Sequence, residues 1–252
     1  MLGNYLHENR QPFASLLFER GARPSLKCLQ SLADQGDFAV CHNLPGPVVT
    51  AEVARAGLTF DLAGLAPGHA SGNPVGIYHF ALSGKARRAQ CEAVALLPGP
   101  HLAGGQHMLP AVQVAAGLLA ALTVLPGILA VSWGPATNLV GPDWFAKNVQ
   151  SWLNGGPFPV FALVSLVRRR DGSIASKGLN FLSGYELRLE PPDSEAAAGG
   201  ATLNDSMPVA IRLLDWLMLQ RQAARNCTAV IPGVGVVHFE LDGEGYMRAR
   251  KE

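Results

Sequence analysis

The chemistry-bearing residue with the most suggestive surroundings is Glu186. It closes the phrase Lys177-Gly178-Leu179-Asn180-Phe181-Leu182-Ser183-Gly184-Tyr185-Glu186. Glycine lets the backbone adopt positive φ or approach a partner closely. A carboxylate beside such a segment is suited to bind a cation or to accept hydrogen bonds. The competing reading is an outward-facing residue on an alternating strand, because Tyr185, Leu187 and Leu189 alternate with Glu186, Arg188 and Glu190. Trp133 lies near Trp144 and Trp152 in sequence, and such aromatics either line a ligand groove or pack a core. Trp133, Lys177 and Glu186 are therefore the binding candidates, and no catalytic residue is assigned.

The other reactive groups form no recognisable constellation. Of seven histidines, His101 and His107 flank Gly104-Gly105, while His69, His79 and His238 are isolated. No HExxH and no paired Cys/His spacing occurs, so the expectation is no metal and no cofactor. Gly233-Val234-Gly235-Val236-Val237-His238 begins like a dinucleotide fingerprint but lacks its third glycine and runs into a strand, where the phosphate site needs a helix N-terminus; it reads as a β-turn. Neither a GxxxxGK[ST] phosphate loop nor a GxSxG nucleophile elbow is present. Arg168-Arg169-Arg170 suits either a phosphate contact or the solvated tip of a hairpin.

Composition bounds the function classes. With 252 residues the chain is long enough for a substantial core. Charged residues make up 15%, well below the usual ~25%, and the net charge is +1, which argues against nucleic acid as a partner. Cys28, Cys41, Cys91 and Cys227 are scattered without a CxxC pair, the pattern of reduced thiols in a cytoplasmic protein. The N-terminal residues lack the basic start and apolar run of a signal peptide. Ala93 to Pro142 contains no Asp, Glu, Lys or Arg, and Val114 to Trp133 is long enough to span a bilayer. Pro126-Gly127 interrupts it, Ala and Gly dilute it, and no basic cluster flanks it. The preferred reading is a buried helix followed by a buried strand.

The elements that must position these groups follow from periodicity. Ser15 to Phe18 reads as a strand, and Ser25 caps a helix through Leu26, Leu29 and Leu32 that Gly36 ends. Phe38 to Cys41 suits a strand; Val48 to Phe60 has no clear period. Gly76 to Ser83 is expected as a strand pairing with Cys91 to Leu97 through a Gly84-Lys85 turn. Pro110 opens a helix that is apolar nearly all round, the mark of a core element. Ile128 to Trp133 follows as a central strand, and a helix runs from Pro142 to about Leu153. Pro159 to Val167 is the strongest strand signal, followed by a hairpin at Asp171-Gly172 and a strand within Leu179 to Leu189. Asp205 or Ser206 caps a helix with the apolar stripe Ile211, Leu214, Leu217 and Met218. Three short strands end the chain. Interleaving with several hairpins predicts an α+β fold, a mixed and largely antiparallel sheet with helices packed against it. It is read as a single domain over 1–252 with a flexible connector at about 191–204.

The strand carrying His79, the Ala/Leu-rich helix, Val131-Ser132-Trp133-Gly134, the helix start Pro142 to Phe145, the Pro159-Val160 segment and Lys177-Gly178-Leu179 through Gly184-Tyr185-Glu186 together resemble a bacterial family known as domain of unknown function 4261. The resemblance spans about Gly76 to Glu190. It implies a soluble α+β domain and brings no catalytic residues with it. The function expected is a non-catalytic binding or protein-interaction module with a protein partner or a second copy of itself, rather than a membrane contact. The alternative is a hydrolase-like enzyme whose site is assembled from distant residues.

Overall fold

The computed structural model describes residues 12–44, 47–86, 90–102, 104–191, 206–220 and 226–252. They group into two compact units, Met1–Gly155 and Gly156–Glu252, a division that the composition does not mark. The fold is α+β. Each unit carries one mixed sheet in which a single strand pair is parallel and the rest are antiparallel.

In the first unit the strands are β1 (Ala14–Glu19), β2 (Ala39–Leu44), β3 (Val49–Arg55), β4 (Leu58–Leu65), β5 (Tyr78–Phe80), β6 (Cys91–Pro98), β7 (Ile128–Trp133) and β8 (Asn138–Val140). Their order is β2-β3-β4-β6-β1-β7-β8-β5. Three helices accompany them: α1 (Leu26–Ala33), α2 (Leu109–Leu122) and α3 (Pro142–Leu153). Ser25 caps α1 as its residue type predicts, its hydroxyl accepting from the Cys28 amide at 3.3 Å. The apolar α2 is a core helix, with Val112, Leu118, Leu119 and Leu122 all fully buried. Large residues alternate along the central strands: Leu16 and Phe18 on β1, Val94 and Leu96 on β6, Val131 and Trp133 on β7, all buried. Each such side chain contributes about 1.5–3 kcal/mol on burial. Trp133 is therefore a core residue; its ring meets Phe13 edge-on, with centroids 5.5 Å apart.

The second unit holds β9 (Ser165–Arg168), β10 (Ile174–Lys177), β11 (Glu186–Leu189), β12 (Cys227–Ile231), β13 (Gly235–Leu241) and β14 (Tyr246–Lys251), in the order β12-β13-β14-β11-β10-β9. Its helices are α4 (Val160–Leu163), α5 (Asn180–Ser183) and α6 (Ser206–Gln220). Leu187, Leu189, Val237, Phe239, Met247 and Ala249 are buried, alternating with charged residues. Trp216 of α6 stacks on Phe239, centroids 5.2 Å apart and planes 9° from parallel. Three ion pairs join charged residues here: Arg188 with Asp171 at 2.7 Å, Arg248 with Asp242 at 2.9 Å and Arg250 with Glu190 at 2.9 Å.

Several expectations need correction. Gly76 to Ser83 yields only three strand residues, and β5 pairs in parallel with β8, not with β6. β6 instead lies between β1 and β4, since its buried middle, Ala93 to Leu96, demands an interior place. Pro159 to Val167 is not one strand: Val160–Leu163 forms a helical turn before β9. A short apolar run carries no period that separates buried turn from buried strand. Val48 to Phe60 contains β3 and the start of β4, joined at Ala56-Gly57, both with positive φ (47° and 78°). Within Leu179 to Leu189 only Glu186–Leu189 is strand. The buried stripe of α6 centres on Ala210, Leu213 and Leu214 rather than on Ile211. The connector expected at about 191–204 falls almost wholly outside the described residues, as does Asp205. Among the described residues no helix is long and apolar enough to cross a membrane.

Candidate functional site

The expected site residues divide between the units. Trp133 belongs to the first, where it is buried and its backbone amide donates to Asn138 Oδ1 at 2.8 Å. Lys177 and Glu186 belong to the second and share one hairpin. There Glu186 accepts hydrogen bonds, one of the two roles its glycine-rich surroundings suggest. Its carboxylate takes the Gly178 amide at 2.7 Å and the Leu179 amide at 3.2 Å, and the Ser176 hydroxyl also donates to it. Ser176 Oγ in turn accepts from the Leu187 amide at 2.7 Å. Gly178 and Gly184 have φ of +98° and +82°, and these left-handed turns fold the chain back so that the amides face the carboxylate. The arrangement braces β10, α5 and β11 against each other. Lys177 is exposed beside it.

A cleft of about 630 Å³ opens in the first unit instead. Leu17, Pro74, Cys91 and Leu139 give it an apolar floor, and Arg20, Asn73, Gln90 and Glu92 ring it. Strand pairing assembles these groups. β1 and β6 run antiparallel with Phe18 opposite Glu92 and Glu19 opposite Cys91, so the exit of β1 meets the entry of β6. Leu17 points away from Leu16 and Phe18 and packs with Ala93 and Ala130, joined by Cys91 and Leu139. Leu139 fits because position 76 has no side chain: a Cβ on Gly76 would lie 2.3 Å from Leu139 Cγ.

One member of this ring, Glu92, is held by Arg23. Its guanidinium donates Nε to Glu92 at 2.8 Å, Nη1 to the Gly64 carbonyl at 2.5 Å and Nη2 to the Gly68 carbonyl at 2.8 Å. Its side chain is only 11% exposed. Glu92 Oε2 also accepts from the Gly21 amide at 3.1 Å. The Arg23 hydrogen bond, followed by the Gly21 amide, holds the Glu92 carboxyl below the usual glutamate range, and the Arg20 charge adds to this. Burial pushes the Cys91 thiol up, away from the thiolate that nucleophilic attack requires. Asn73 Nδ2 donates to the Cys91 carbonyl at 3.3 Å. Arg20 reaches Gln90 Oε1 at 3.3 Å and has no carboxylate partner among the described residues.

Three of the histidines bond apart from one another. His79 meets the Gly76 carbonyl, His101 meets Thr59, and His238 bridges Thr228 and Glu252. Among the described residues no three His, Cys, Asp or Glu side chains cluster to hold a metal. Arg169, from the arginine run, donates to the Tyr246 hydroxyl at 3.1 Å and lies over its ring. Sequence reasoning missed the cleft. Its signal was a register, Phe18 against Glu92, that no local pattern prints. No family model, curated protein or solved structure matches the chain.

Proposed function

We propose that this chain is a non-catalytic binding protein whose first-unit cleft receives an extended segment of a protein partner. One observation carries the reading: the cleft offers side-chain amides and a guanidinium around an apolar floor, while burial favours the neutral Cys91 thiol and Arg23 holds the Glu92 carboxylate. Asn73 and Gln90 supply the donors and acceptors that a peptide backbone needs. Leu17, Pro74 and Leu139 take an apolar side chain, the mixture usual in a recognition site. The Cys91 thiol is held toward its neutral form and Glu92 is held by Arg23, so neither is poised as nucleophile or base. Kinship with the bacterial domain family 4261 and residence in the cytoplasm belong to the same proposal, supported by the quoted motifs and by four cysteines that form no disulfide.

Peptide display on the immobilised chain tests it. The expected result is a set of peptides sharing an apolar residue, whose binding Leu139→Glu abolishes. Turnover of a panel of ester, amide and phosphoester substrates, lost in Cys91→Ser or Glu92→Gln, would overturn the reading in favour of a hydrolase.

A further inference from the structure

We infer that the segment taken by the cleft is acidic, with a carboxylate side chain seated on Arg20 next to an apolar residue seated on Leu17 and Leu139. The inference rests on the binding reading above and gives it a charge and a register.

The basis is a difference between two arginines a few residues apart. Arg23 has placed three of its donors, at all three nitrogens: one on the Glu92 carboxylate and two on carbonyls of the Gly64 and Gly68 turns. Arg20 has spent one donor on a neutral amide at 3.3 Å, the long end of hydrogen-bond range. A guanidinium carries five donors in a planar fork that matches a carboxylate. The neighbouring charges do not supply that carboxylate. Glu92 is held by Arg23 and the Gly21 amide, and Glu19 is held by Lys85 at 2.5 Å. Among the described residues Glu92 pairs with Arg23 and Glu19 with Lys85, so of these five charges the one left without an opposite partner is Arg20.

Gln90 sits on the same side of the cleft and completes a fork. When a carboxylate displaces its Oε1 from Arg20, the amide turns its NH₂ toward the newcomer. Leu17, Leu139 and Pro74 line the same cleft. Val75 and Ile77, next in sequence to Pro74, are 70% and 62% exposed, so the apolar surface extends beyond the cleft. An acidic residue and an apolar neighbour on one extended segment match this layout. A free inorganic anion would leave the floor uncovered, and a neutral apolar peptide would leave the Arg20 charge unmatched.

The test uses the full chain and two fluorescein-labelled heptapeptide pools. One has Leu-Asp fixed at its centre and the other Leu-Asn, with the remaining positions drawn from Ala, Ser, Thr and Gly. Anisotropy titration is expected to show the Asp pool binding about tenfold tighter, the scale of one partly exposed charge-assisted pair. The preference should shrink as salt rises. Arg20→Gln should equalise the pools, and Arg20→Lys should keep part of the preference. Leu139→Glu should weaken both pools together. Equal binding of the two pools by the unaltered chain, or a preference that survives Arg20→Gln, overturns the acidic segment and leaves the binding cleft standing. Binding of neither pool, with no effect of Leu139→Glu on display-selected peptides, overturns both.

Discussion

Glu186 and Glu92 both accept backbone amides, and their surroundings diverge. Glu186 in the second unit takes the Gly178 and Leu179 amides and the Ser176 hydroxyl, and every donor aimed at it comes from its own hairpin. Glu92 in the first unit takes the Gly21 amide and Arg23, but it stands on the rim of a cleft with Arg20 beside it. The first arrangement closes on itself and is a brace. The second leaves a cation and two amides facing solvent over an apolar floor. A carboxylate held by amides is thus no sign of a site in itself; what matters is whether the groups around it have finished their bonding.

The contrast can be broken by substitution. Glu186→Ala should have the largest effect on stability, because it strands two amides and a hydroxyl in a part-buried hairpin. A loss of about 3 kcal/mol is expected in urea unfolding, with Glu186→Gln recovering part of it. Arg23→Met should come next, at about 2 kcal/mol, since the Gly64 and Gly68 carbonyls lose their donors. Arg20→Gln should change stability by less than about 0.5 kcal/mol while altering peptide preference. If Arg20→Gln destabilised the chain as much as Arg23→Met, Arg20 would be part of the scaffold and the contrast would fail.

The smallest effect concerns pH. The Glu92 carboxyl is held below its ordinary range by Arg23 and Gly21. Asp171 and Asp242 are also lowered, the first chiefly by the Ser173 hydroxyl and the second chiefly by the Tyr246 amide. A depressed carboxylate contributes stability that is present above its unfolded pKa and lost as pH falls through the folded one. The urea midpoint should therefore fall as the solution is acidified below the ordinary carboxylate range, and Glu92→Gln should flatten that limb slightly. A Glu92→Gln chain with an unchanged acid limb would contradict the Arg23 pairing.

Much of the fold was legible locally. Ser25 capping α1, Pro110 opening α2, the apolar β7 and the three C-terminal strands all follow from period and capping chemistry. Pro159 to Val167 was not legible, because an unbroken apolar run fits a buried turn as well as a strand. The partner of β5 was not legible either: parallel pairing with β8 depends on long-range sheet order. The same limit governs the site. The glycines around Glu186 suggested a carboxylate that binds a cation or accepts hydrogen bonds, and the structure shows donors from its own hairpin. Arg20, Gln90 and Glu92 are unremarkable in sequence and meet only through the β1–β6 register.

The most direct measurement is a two-dimensional amide NMR titration of the full chain with the tightest display-selected peptide. Shifts should concentrate at Leu17, Arg20, Asn73, Gln90, Cys91 and Leu139 and spare Gly178 to Glu186. Shifts confined to the Gly178–Glu186 hairpin, with the cleft amides unmoved, would contradict the assignment of the cleft as the binding site.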